Sequence, residues 1–309
     1  MNNFLVRIFK DPFILAYVIL YFVLIVALHI TEGFSIILPI VVFLILGAGF
    51  SALAWWTTRG VEPLTYSVKQ PASECALLAV CLIIITFFIT WGLNFIETTI
   101  HAEPLKSITI LVAKVIVFVL IPLLLFRGIW KYTLHDLLSF TFGGRKHLRV
   151  ILWMSLVLIS FQAVLGRGLS EIRASGLPWW SWVLGIPCAF VWLVLEAGLV
   201  EEFFFRTLIQ SRVAAFLKSE AAGIVVMSVL FGLAHAPGMY VRTSKTLEAL
   251  GPSPSLFMAL GYSIVVTSVA GFFLGVLWVR TKSITVLMLV HAAGDLLPSA
   301  AGILTAWLR

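Results

Sequence analysis

The chain has 309 residues, 61% of them hydrophobic and only 11% charged, with a net charge of +7 and a mean hydropathy of +1.09. Soluble globular domains are about 45–50% apolar and about 25% charged, so this composition excludes an ordinary soluble fold. A transmembrane barrel is excluded too, because barrel strands alternate apolar and polar residues, whereas the apolar runs here are continuous and reach the roughly 20 residues that a bilayer-crossing helix needs.

The runs predict an all-α, polytopic transmembrane helical bundle of about eight to nine spans. Nine can be drawn, at residues 13–30, 34–56, 74–96, 107–126, 149–166, 181–204, 222–240, 256–279 and 283–306. The first follows Arg7 and Lys10 but is longer than a signal-peptide core and lacks a small-residue cleavage site, so it is expected to be retained. The fifth is the shortest. The sixth can continue as helix to about residue 216, and the last is interrupted by Gly294 and Pro298. Between the fourth and fifth lies the longest cytoplasmic connection, residues 126–150, whose leading part reads as an interfacial amphipathic helix broken at Gly143-Gly144. This connection divides the chain into a four-span region without motifs, 1–148, and a region 149–309 that carries almost every candidate for chemistry. The polar segment 241–255 contains Gly251, Pro252 and Pro254 and is expected to be mobile and non-cytoplasmic.

Lys and Arg gather on the cytoplasmic side of membrane proteins. With the N-terminus cytoplasmic, fourteen of them fall on that side and six on the other, with Lys114 inside a span. The layout therefore predicts an integral protein of the cell membrane, N-terminus inside and, with nine spans, C-terminus outside. The basic balance is accounted for in this way. No soluble basic run with interleaved aromatics points to nucleic acid, so no nucleic-acid partner is expected. Cys75, Cys81 and Cys188 form no CxxC pair and read as small core residues.

Ionisable groups inside a membrane are costly and therefore worth explaining one by one. Lys114 lies about 10 Å from the start of its span and is expected to snorkel outward. Glu202 and Arg206 stand at i, i+4 and can pair. Glu201 points about 100° away and has no local partner. Two later apolar helices carry "FGLAH", with Phe231 and His235 at i, i+4, and "HAAGD", with His291 and Asp295 at i, i+4. By helical rise, Glu201, His235 and His291 lie roughly 10–25 Å from the cytoplasmic ends of their helices, so they could meet within the bilayer. A carboxylate with two imidazoles can deprotonate a water, orient it and donate to an oxyanion. The same set could hold Zn²⁺, although no H-E-x-x-H is present. The residues alone leave both chemistries open.

In series, "EEFFFR", "FGLAH" and "HAAGD" resemble the EExxxR, FxxxH and HxxxN/D motifs of the CPBP family. These are intramembrane glutamic endopeptidases that process CAAX proteins and bacteriocins, and they include the type II CAAX prenyl endopeptidases, or Ras-converting enzymes. The resemblance covers roughly residues 185–300 and implies a protease that needs no cofactor or metal. It implies that Glu201 is the base on the attacking water and that His235 helps to activate it. Glu202 and Arg206 would shape the site, together with Phe231, the first position of the FxxxH motif. His291 and Asp295 would stabilise the oxyanion. Asp stands where the motif also allows Asn, so an ionised Asp295 could only accept a hydrogen bond. It would then orient His291 one turn back, whereas a protonated Asp295 could itself donate. Glu196 matches no motif position and is expected to line the cavity or to pack against a neighbouring Ser or Thr. The implied partners are a membrane-anchored or lipidated protein substrate and the bilayer of a prokaryotic cell. Three rivals use the same residues: a metal-dependent hydrolase, a catalytically silent immunity or regulatory scaffold, and a proton-coupled transporter. A transporter would be favoured by an internal repeat, and the sequence has none.

Overall fold

The structure, a computed structural model, describes residues 11–138, 140, 143–241, 250 and 253–308. The expected segment 241–255 therefore lies largely outside the described residues, as do Arg7, Lys10, Arg242, Lys245 and Arg309. Among the described residues there is no strand. Nine helices among the described residues are long and apolar enough to cross a membrane. They are α1 (Pro12–Glu32), α2 (Ile37–Thr57), α3 (Pro71–Thr99), α4 (Glu103–Trp130), α6 (Arg145–Leu165), α8 (Trp179–Leu217), α9 (Glu220–Val241), α10 (Leu256–Thr281) and α11 (Ile284–Leu308). Two short helices intervene, α5 (Leu134–Leu137) and α7 (Gly168–Ala174).

The chemistry at the helix ends is local. Asp11 accepts a hydrogen bond from the Phe13 N–H and Pro12 opens α1, which stops at Gly33 in a left-handed conformation (φ +66°). Thr133 and Asp136 cap α5 reciprocally. That capped unit is only four residues long, so the expected interfacial helix shrinks to one turn. The break at Gly143-Gly144 is present: Gly144 takes φ +66° and α6 begins at Arg145. The expected interruption of the last span is not found, since α11 runs unbroken from Ile284 to Leu308 with Pro298 inside it.

Two compact units divide the chain. The first takes residues up to Trp55, Tyr66–Asn94 and Leu208–Val279. Its core is a stripe of α1, namely Ile14, Tyr17, Tyr21, Ile25 and Leu28, packed with Met258, Ala259, Tyr262, Val265 and Val269 of α10. The i, i+3/i+4 spacing puts each set on one face. The tyrosines bury their rings, and their hydroxyls are satisfied. Tyr17 meets the Ser268 hydroxyl at 2.7 Å, and the Tyr21 hydroxyl lies 2.7 Å from the Pro39 and Val265 carbonyls.

The second unit takes Trp56–Thr65, Phe95–Thr207 and Arg280 onward. In it α11 packs against α6, α7 and α8, with Ala189, Leu193, Ala292 and Leu296 as a small core. Residues 57–59 and 64 are tied down by polar contacts. Arg149 donates to the Thr57 and Arg59 carbonyls, Arg280 to Thr58, and the Leu64 N–H to the Thr281 carbonyl. Of the three cysteines Cys81 is buried, Cys75 is intermediate and Cys188 is exposed, so Cys188 is not a core residue.

Candidate active site

The backbone around the carboxylates departs from a regular α-helix. Within α8, Val194–Leu199 and Glu202–Gln210 are π-helical, and Glu201 sits between these stretches. Such widened turns recur at functional sites. Three residues before Glu201, Gly198 lets α8 approach α11 closely. A side chain there would put its first carbon 2.7 Å from the carbonyl oxygen of Met288, itself three residues before His291. This contact brings the two motif-bearing segments of the second unit side by side.

Five motif residues come together in that unit. Glu202 and Arg206 are fully buried, with Glu202 Oε2 3.1 Å from Arg206 Nε. The other oxygen, Glu202 Oε1, lies 2.5 Å from His291 Nδ1. An ionised carboxylate only accepts, so Nδ1–H is the donor. Glu202 thus bridges the guanidinium and the imidazole. His291 Nε2 in turn faces Asp295 Oδ2 at 3.3 Å and Glu201 Oε2 at 3.9 Å. Glu201 Oε2 is buried and makes no hydrogen bond among the described residues. Asp295 is the open member, its side chain 42% exposed. At 3.3 Å the Asp295 carboxyl is within reach of the His291 ring.

Phe231 and His235 lie on α9, in the first unit. His235 Nδ1 is 2.7 Å from the Phe231 carbonyl oxygen, and the two rings are tilted with centroids 4.8 Å apart. A carbonyl can only accept, so Nδ1 carries the proton, and in the neutral ring Nε2 keeps its lone pair. His235 is therefore fixed as the tautomer whose free nitrogen can take a proton.

Two expectations need correction. Lys114 does not snorkel: its ammonium forms an ion pair with Glu196 across α4 and α8. Glu196 accordingly has Lys114 as its partner, rather than a Ser or Thr. A further pair, fully buried and in the first unit, joins residues far apart in the sequence. Arg212 donates from Nε to Glu74 Oε2 (2.9 Å) and from Nη1 to the Tyr66 hydroxyl (2.7 Å), and Glu74 Oε1 accepts from the Lys69 and Gln70 N–H groups. The signal for both pairs was the bare presence of span-embedded charge, which calls for a partner. The partners are 82 and 138 residues away, so no local spacing names them. Arg206 and Arg212 are fully buried, so they do not count as loop charges and the cytoplasmic tally falls from fourteen to twelve.

Among the described residues no group of three or more His, Cys, Asp or Glu side chains is arranged to hold a metal ion. Compared with known families, residues 178–297 match the family model described as Rce1-like, type II CAAX prenyl endopeptidase Rce1-like. The match begins beside the start of α8 and ends beyond Asp295, so it contains all three motifs. No curated protein and no solved structure matches the chain.

Proposed function

We propose, from the match of residues 178–297 to the Rce1-like family model of type II CAAX prenyl endopeptidases, that the chain hydrolyses a peptide bond of a membrane-anchored or lipidated protein with water activated by Glu201 and His235. Family and spans make it a CAAX-type membrane endopeptidase in general terms. The substrate class goes beyond that and rests on the family match and the spans, whereas the mechanism is inferred from the site. One observation carries the mechanism: a buried carboxylate oxygen of Glu201 without a hydrogen bond among the described residues, next to a Glu202 held by both Arg206 and His291.

In this reading Glu201 removes a proton from the water as the oxygen attacks the scissile carbonyl carbon. His235, through Nε2, takes the water-orienting role of its motif. The carbonyl becomes a tetrahedral oxyanion, and His291, anchored at Nδ1 by Glu202, donates to it from Nε2. Asp295 orients that imidazole. Collapse of the intermediate breaks the C–N bond, and the proton held by Glu201 passes to the leaving amine. Residues 149–309 form the catalytic part and the N-terminus is cytoplasmic, in the membrane of a prokaryotic cell. Metal has no role.

The test is a comparison of membrane proteomes from cells with and without the chain, followed by cleavage of any candidate by the purified protein in liposomes, with and without a chelator. At least one membrane protein should lose a terminal segment, and the chelator should leave turnover unchanged. Intact membrane proteins throughout would defeat the reading. Stoichiometric zinc, with activity lost to the chelator and restored by zinc, would defeat its glutamic mechanism.

The role given to Asp295 makes a separate prediction. Asp295→Asn keeps an amide oxygen as acceptor but removes the carboxylate charge that holds the His291 N–H, so activity should fall partly and by a similar factor at low and high pH. An Asn variant that equals wild type at low pH and exceeds it at high pH would instead show that Asp295 donates as an acid.

A further inference from the structure

Pro298 lies inside α11. Proline has no N–H, so the carbonyl four residues earlier loses its usual helical donor. That carbonyl belongs to Gly294, between His291 and Asp295 in the third motif. A carbonyl left without a donor in a half-buried setting is costly, and here it has one from another helix. Gln162, in the last turn of α6 and only 9% exposed, donates a hydrogen bond from Nε2 to the Gly294 carbonyl oxygen. Nearby, Gly168 of α7 leaves room for the Leu297 backbone, which a side chain at that position would strike. By helical geometry Gly294 lies on the same face as His291, Asp295 and Pro298. Its missing side chain leaves open space on that face, with no atom within 4 Å of where a Cβ would be.

We propose that Gln162 is a positioning residue of the active site: it replaces the helical donor removed by Pro298 and so fixes the turn of α11 that presents His291 and Asp295. Gln162 belongs to none of the three motifs and lies outside the segment that matches the family. It acts on the reaction only through the backbone of α11. The proposal rests on the proteolytic reading of the site for its kinetic consequence, but its structural core does not.

The experiment uses the full-length protein in four forms: wild type, Gln162→Leu, Pro298→Ala and the double variant. The Pro298→Ala substitution restores an N–H to the helix, so the Gly294 carbonyl no longer depends on Gln162. With a prenylated CAAX peptide in liposomes as the probe, Gln162→Leu should lower kcat about tenfold, the equivalent of one lost hydrogen bond. KM should stay within about twofold, because the residue does not touch the substrate. In the Pro298→Ala background the same substitution should change kcat little. Deuterium uptake across residues 291–298 reads the same coupling without any substrate: Gln162→Leu should raise it when Pro298 is present and not in the Pro298→Ala background. Equal effects in both backgrounds, or no effect in either, would overturn the proposal. If wild type fails to cut the probe while the uptake pattern holds, the proteolytic reading is at fault and the positioning role of Gln162 stands. Should Gln162→Leu not fold, Gln162→Glu serves instead. Its ionised form cannot donate, so its activity relative to wild type should fall as pH rises, and a flat ratio would refute the role.

Discussion

Glu201→Gln is expected to reduce peptide hydrolysis by about 10²–10⁴-fold, the usual contribution of a placed general base, while the protein inserts and purifies as wild type does. Size and shape are conserved, so packing along α8 is undisturbed. What disappears is the capacity of one oxygen to take a proton. That oxygen makes no hydrogen bond among the described residues, so the amide breaks no existing hydrogen bond there. His291 Nε2 is 3.9 Å away, beyond hydrogen-bonding distance. The substitution is thus a chemical change with little structural cost. Turnover, measured as release of the cleaved fragment, should collapse while the melting curve stays in place. Near-normal turnover would move the base elsewhere in the site.

Arg206→Ala should have the opposite signature, with the main loss in stability. Both members of the pair are fully buried, and removing one partner of such a pair commonly costs about 3–5 kcal/mol because the other charge stays behind without water. Here the charge left behind is Glu202, which also accepts from His291. The variant should therefore melt well below wild type and below His235→Ala, and lose activity as well. A double variant, Arg206→Met with Glu202→Met, separates the two losses. Replacing both charges with apolar groups should recover much of the stability, but activity should stay low because His291 has lost the acceptor at Nδ1. If Arg206→Ala and His235→Ala melt alike, the pair contributes far less than its burial implies.

The spans were legible because lipid-facing helices must be apolar over their whole length, and all nine appear where the hydropathy places them. The errors came where polar residues are satisfied by the protein itself. Along α8 the helix continues to Leu217, as the expected run-on to about residue 216 allowed. The polar groups of Arg206, Gln210, Ser211 and Arg212 look like an exit into water, yet all four residues are buried. Pro298 looked like a break, but a side chain from α6 supplies the donor that the backbone lacks. In the site, pairs four residues apart can be read directly from the spacing, as Glu202–Arg206 and His291–Asp295 are. The bond from His291 to Glu202 crosses between helices 89 residues apart in sequence. Only packing, set in part by the close approach at Gly198, can reveal it.

The Lys114–Glu196 pair also bears on how the protein is made. Lys114 and Glu196 are separated by 82 residues, so during synthesis α4 leaves the ribosome and meets the membrane before its counter-ion exists. At about 5–20 residues per second, the delay is several seconds. Over that interval the lysine must be tolerated by the translocation machinery at a cost of about 2.5–3.5 kcal/mol if held at mid-membrane, less if the flexible stem lets the ammonium reach the headgroups. The remaining hydrophobicity of α4, the most apolar of the nine spans at a mean hydropathy of 2.9 over its best window, is what lets it insert regardless. Arrival of α8 then gives the early helix a fixed rotational setting. The charge pair thus joins a late helix, the one that carries Glu201 and Glu202, to an early one that precedes it into the membrane.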